Sequence, residues 1–174
     1  ATTVYVTHDQ TEAMTMADRI AVILHGELQQ IGTPSEIYRS PMTVGVAEFV
    51  GSPKINILPC RTSGNVIECL GQTLRSEAPS QGMKDGSIGL RPEHVVLTGR
   101  TGGNLPCRIV SLEYLGSEVL LAVETADGTQ IGLRMDVEAF EHLPDREALA
   151  VELPARHALL FDASGKRTEW RAAA

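Results

Sequence analysis

Hydrophobic and polar positions change their period near residue 54. Before it, apolar runs alternate with helical spacing. Val4-Tyr5-Val6 reads as the end of a buried strand, being β-branched or aromatic. Thr7 and Asp9 are both N-cap types, each with a capping-box partner three residues on, Gln10 and Glu12. Ala13, Met14 and Ala17 continue at helical spacing, so His8 falls where a strand turns into a helix. Arg19-Ile20-Ala21-Val22-Ile23-Leu24 is nearly all apolar and predicts a strand covered on both faces. His25-Gly26 is a turn, with His25 solvated, and Glu27 to Gly32 returns as the second arm of a hairpin. Thr33-Pro34-Ser35-Glu36 opens a helix that Pro41 ends, and Val44 to Val50 predicts another, stopped by Gly51-Ser52-Pro53.

After residue 54 the chain reads as short strands between turn signals, the pattern of a small barrel or sandwich. The candidates are Ile55 to Thr62, Val66 to Leu70, Ser87 to Arg91, Val95 to Thr98, Pro106 to Tyr114, Glu118 to Glu124, Thr129 to Met135, Ala148 to Leu153 and Arg156 to Phe161. One hairpin has a predictable register. A two-residue turn at Asp127-Gly128 would pair Val123 with Gly132 and mix the faces. A three-residue loop, Ala126-Asp127-Gly128, pairs Val123 with Ile131, Leu121 with Leu133 and Val119 with Met135, with Gly128 left-handed. Ala158-Leu159-Leu160-Phe161-Asp162 imitates an apolar strand ending in a metal-binding aspartate, but Asp162-Ala163-Ser164-Gly165 reads better as a turn.

Composition narrows the function classes. The 174 residues are 43% hydrophobic and 21% charged, enough for one large or two small domains. A net charge of −7 with 4% aromatics argues against nucleic acid as a partner. The three cysteines, Cys60, Cys69 and Cys107, form no C-x-x-C pair, and no metal ligands are assigned. A tight turn at Gly64-Asn65 would put Cys60 and Cys69 opposite each other as reduced thiols. Arg91 in Arg91-Pro92-Glu93 reads as a strand-end arginine paired to a nearby carboxylate, or else as an anion contact. His94, His142 and His157 stand isolated, and Trp170 is either tucked onto the barrel or part of a loose tail. The chain starts in mid-strand without a methionine, as a piece of something longer would.

One ordered series is far more specific than any of these. Val6-Thr7-His8-Asp9-Gln10, Glu12-Ala13, Ala17-Asp18-Arg19-Ile20, Gly26, Gln30, Gly32-Thr33-Pro34, Glu36-Ile37-Tyr38, Pro41, Ala47, Phe49, Gly51-Ser52-Pro53 and Asn56 resemble the tail of the ATPase subunit of bacterial ABC importers for maltose-like sugars and glycerol phosphate. Gly45, where that family has a large apolar residue, is expected to loosen the last helix. Gly89 to Glu93, Val110 to Glu118 and the ending Leu160-Phe161-Asp162 with Gly165-Lys166-Arg167 resemble its transport-associated OB (TOBE) domain.

The resemblance implies a mainly β chain with an α/β N-terminal remnant. Residues 1–52 would be the end of the ABC nucleotide-binding domain, 53–166 an OB-like β-barrel regulatory domain and 167–174 a tail. It implies that His8 is the switch histidine, the catalytic and ATP γ-phosphate contact of the complete subunit, where ATP and magnesium are the cofactors. The chain has no G-x-x-x-x-G-K-[ST] loop, signature motif or catalytic glutamate, so it should hold no cofactor and hydrolyse no ATP alone. Implied partners are a second copy of the subunit, membrane-spanning permease subunits and a regulatory protein, on the cytoplasmic face of the cell membrane. The other class open to the sequence is a free-standing OB-type receptor for an oxyanion or a sugar.

Overall fold

The computed structural model describes residues 1–77, 84–99, 105–143, 148–170 and 172. The first segment holds α1 (Gln10–Met16), a hairpin of β1 (Ile20–Leu24) and β2 (Glu27–Gly32), then α2 (Pro34–Arg39) and α3 (Val44–Phe49). Thr33 caps α2 through the full capping box, since its hydroxyl accepts from Glu36 N–H while Glu36 accepts from Thr33 N–H. Val22, Ile37, Val46 and Val50 form a small core of their own under these elements, with Met14 and Leu24 against it. A side chain at Gly45 would meet Leu24 Cδ1 at 3.0 Å, so the glycine leaves room for Leu24.

The rest is built on two antiparallel sheets. β3 (Asn56–Ser63), β4 (Val66–Cys69), β5 (Gln72–Arg75), β6 (Asp85–Leu90), β12 (Leu159–Asp162) and β13 (Arg167–Thr168) form the first, in the order β13-β12-β6-β3-β4-β5. β7 (Val96–Gly99), β8 (Leu105–Tyr114), β9 (Glu118–Thr125), β10 (Gln130–Asp136) and β11 (Leu149–Glu152) form the second, in the order β10-β9-β8-β11-β7. α4 (Val137–Glu141) follows β10. The inward residues of both sheets, such as Leu58, Ile67 and Ile88 facing Val119, Leu121 and Leu133, belong to one continuous core. The mainly β architecture read from the sequence is the observed one. Trp170 packs against this core, whereas Arg171, Ala173 and Ala174 of the expected tail lie outside the described residues.

The β9–β10 register is the one that alternation selects: Val123 faces Ile131, Leu121 faces Leu133 and Val119 faces Met135, with Gly128 at φ 84°. Asp162 sits in a turn, where its Oδ1 accepts from Ser164 N–H at 2.8 Å and Lys166 N–H at 3.0 Å. β5 is absent from the sequence reading because Leu74 is its one apolar side chain, too little for a visible alternation. The last predicted strand is shorter at its start, since Ala155–His157 form a 3-10 turn.

Where strands do not meet, carboxamides take over. Asn56 Nδ2 donates to Gly132 O at 2.9 Å and its Oδ1 accepts from Gly132 N–H at 2.7 Å, joining the edge of the second sheet to the first. Across the opposite seam Gln72 Nε2 donates to Val151 O at 3.1 Å and its Oε1 accepts from Leu153 N–H. Gly89 serves a third joint: a Cβ there would lie 2.9 Å from both Ile55 and Phe161, which pack with Ala47 of α3 on the outer face of β6.

Two outcomes follow from this packing. Asn56→Ala strips partners from Gly132 and is expected to lower the unfolding free energy by about 1–3 kcal/mol in urea melts, with no change in the denaturant slope. Burial pushes the Cys60 thiol up to about 11 and Cys69 to about 12. Both are free and buried, so thiol titration near neutral pH should be slow for them in the native protein and complete in denaturant.

Candidate functional site

The residues around His8 are arranged by one acidic cap. Asp9, not Thr7, is the N-cap of α1, its Oδ1 accepting from Thr11 N–H at 2.7 Å and Glu12 N–H at 3.2 Å. Thr7 instead donates its hydroxyl to Glu12 Oε2 at 2.7 Å and accepts from Asp9 N–H at 2.9 Å. Between them His8 is exposed, one residue before the cap.

The expected strand at Val4–Val6 is not formed. Val4 is 86% and Val6 90% exposed, and none of the described residues supplies the partner backbone that a strand requires. β1 also differs from expectation. Only Val22 is buried, and Ala21 and Ile23 face outward with Leu28 and Ile31 of β2, so the hairpin is covered on one face rather than two. Val4, Tyr5 and Val6 beside His8, and Ile23, Leu28 and Ile31 on the hairpin, are therefore all exposed apolar side chains.

Arg91 overturns the surface reading made from sequence. It is 4% exposed and forms neither an ion pair nor an anion contact among the described residues. One guanidinium nitrogen, Nη1, donates to Ala47 O at 3.1 Å and to Val50 O. The other, Nη2, donates to Tyr38 O at 3.0 Å. These carbonyls lie in the last turn or cap of α2 and α3, which otherwise lack helical partners. The guanidinium also lies 4.0 Å over the Tyr38 ring. Burial lowers the Arg91 pKa, but arginine remains charged. Tyr38 donates its hydroxyl to Glu93, and burial with that bond raises it to about 12. In the sequence an arginine after an apolar strand looks like any strand-end arginine. The signal was its place in the Gly89 to Glu93 motif.

His94 and His157 are not isolated. Their rings stack at 4.0 Å and 11° on two 3-10 turns, at one end of the paired strands β6 and β12. Arg156 Nε donates to His157 Nε2 at 3.0 Å, which fixes that nitrogen as an acceptor in the neutral ring. No cluster of three His, Cys, Asp or Glu able to hold a metal occurs among the described residues. The described helices include none long and apolar enough to cross a membrane.

Residues 88–161 match the TOBE domain family. The sn-glycerol-3-phosphate import ATP-binding protein UgpC of Cereibacter sphaeroides is 42% identical over 167 residues, which cover 95% of this chain and 47% of that protein. The lactose transport ATP-binding protein LacK of Rhizobium radiobacter is 36% identical over 178 residues, with 96% and 49% covered. The chain thus spans about half the length of the curated relatives it matches. A solved structure of the cytoplasmic molybdate-binding protein ModG with molybdate bound aligns with 60% of this chain and 94% of that one, at TM-score 0.49 and 15% identity. That likeness is too distant to bear on ligand or fold.

The histidine stack carries a pH dependence. Burial, the neighbouring His94 and Arg156 together lower the His157 pKa below its ordinary 6.5. The unfolded chain then binds a proton there before the folded one does, so stability is complete above about pH 6.5 and falls as pH drops through that value. The urea midpoint should decrease between about pH 7.5 and 5.5, and His157→Gln should remove most of that slope.

Proposed function

Because this chain corresponds to the C-terminal part of the ATP-binding subunits of bacterial ABC importers and carries their TOBE domain, we propose that it works as the regulatory end of such a subunit, energising uptake of a sugar or glycerol phosphate. The observation that carries this reading is the span of the match, 95% of the chain at 42% identity. In the complete subunit His8 is the switch histidine. Its exposed imidazole, next to the capped start of α1, would donate a hydrogen bond to the γ-phosphate of ATP and hold the attacking water in register. Phosphoryl transfer asks little covalent chemistry of a protein, so positioning of this kind is what such a side chain supplies.

In this reading residues 1–52 close the nucleotide-binding domain, residues 53–166 form the regulatory barrel, and residues from 167 onward are the tail, of which β13 pairs with β12 and Trp170 packs on the core. ATP and magnesium belong to the complete subunit, and this chain alone does not turn ATP over. Two surfaces suit partners. The apolar group from Val4 to Ile31 fits the rest of a nucleotide-binding domain, and Leu112, Tyr114 and Leu115, exposed on the barrel, fit a second copy of the subunit or a regulator. Permease subunits would place the assembly on the cytoplasmic face of the membrane.

The deciding measurement is made on the full-length subunit. His8→Ala should reduce ATP hydrolysis by about a hundredfold or more, as loss of a transition-state hydrogen bond does, while ATP affinity changes by less than about threefold. Unchanged turnover would remove His8 from the mechanism. Heat released by this chain on titration with oxyanions or sugars would instead favour a free-standing receptor.

A further inference from the structure

One peptide group lies between Arg91 and Gln10. Its carbonyl, Val50 O, accepts from Arg91 Nη1, and its N–H, Gly51 N, donates to Gln10 Oε1 at 2.9 Å. A peptide is a rigid plane with its C=O and N–H on opposite sides, so the two side chains hold it from opposite edges. Gly51 is required there. It adopts φ 114°, and a Cβ would come within 2.8 Å of Arg91 Nη1 and 3.3 Å of Tyr38. Arg91 itself is rooted in the barrel, immediately after β6. Gln10 opens α1, two residues after His8.

α1 has few other anchors. It has seven residues and buries none of them fully, and Met14 is the side chain it packs on the small N-terminal core. An element so lightly held follows whatever fixes its end. Arg91, by contrast, is held at Nη1 and Nη2 by three carbonyls and across its face by the Tyr38 ring, with only Nε unpartnered among the described residues. We propose that Arg91 and Gln10 are positioning residues that set the orientation of the His8 segment from the barrel, through the single Val50–Gly51 peptide. A turn of the barrel against α2 and α3 tilts that plane and carries the start of α1 with it. The functional meaning rests on the reading of His8 given above. The mechanical link does not, and it works in both directions.

Nucleotide-free protein tests the link by NMR, so the assay is independent of any role in ATP hydrolysis. The acceptors of Arg91 are Tyr38, Ala47 and Val50, none of them in residues 1–16. Arg91→Lys keeps the charge but loses the fork. It should cut the helical Cα shifts of Gln10–Met16 by half or more, while β9 and β10 keep theirs. Gln10→Leu keeps the bulk but loses the acceptor, and should speed exchange of the Gly51 amide by about tenfold, since that hydrogen bond is then gone. It should also shift the Arg91 side-chain resonance. Gln10→Glu retains an oxygen and should restore both. Unmoved α1 shifts in a folded Arg91→Lys protein, or equal behaviour of the Leu and Glu variants, would overturn the proposal. If Arg91→Lys also loosens β9 and β10, the Gln10 pair decides by itself: an Arg91 resonance that ignores Gln10→Leu sinks the link.

Discussion

A guanidinium taken out of water must find acceptors for its N–H groups or cost several kcal/mol. Arg91 meets this demand at Nη1 and Nη2 with carbonyls that themselves need donors, those at the ends of α2 and α3, while its buried Nε has no hydrogen-bond partner among the described residues. Neither side of the bargain is stable alone. Short helices of six residues leave most of their terminal carbonyls unpaired, and a buried arginine without them would be an uncompensated charge. Together they fasten a segment with a very small core to a barrel with a large one. The apolar joint of Ala47, Ile55 and Phe161 reinforces the same seam, and Gly89 lets it close.

The same physics recurs with neutral groups. Gln10, Gln30, Asn56 and Gln72 each bond backbone where regular pairing stops, with Gln30 joining Ser40 O and Met42 N–H. A carboxamide carries both a donor and an acceptor, so it imitates a strand edge or a peptide. Two sheets that share one core still leave seams at their ends, and a buried peptide group at a seam must be satisfied. This chain satisfies them with side chains rather than with additional strands. That economy makes the joints depend on single residues.

Much of the element pattern was legible because it rests on local rules. The Thr33 capping box, the hairpin at His25-Gly26 and the β9–β10 register follow from cap chemistry, turn conformation and alternation. The limits were equally physical. Val4-Tyr5-Val6 has strand composition, but composition cannot supply a neighbouring strand. β1 looked buried on both faces because apolar residues fill it, yet a two-stranded hairpin on one small core can cover only one. Gly45 looked like a weakness in α3, and only the structure shows Leu24 packed close against it.

Sequence by itself determined the change of period near residue 54, the caps and turns, and a motif series specific enough to point to the importer ATPase family. These are properties of neighbours along the chain. Tertiary structure alone decided that Arg91 is a buried joint and not a surface ion pair, that His94 and His157 share a stack, and that Gln10 and Arg91 hold opposite edges of one peptide. Each of those depends on groups tens of residues apart meeting where water is excluded. The strength and even the sign of a polar contact are set by that exclusion, which no local pattern records.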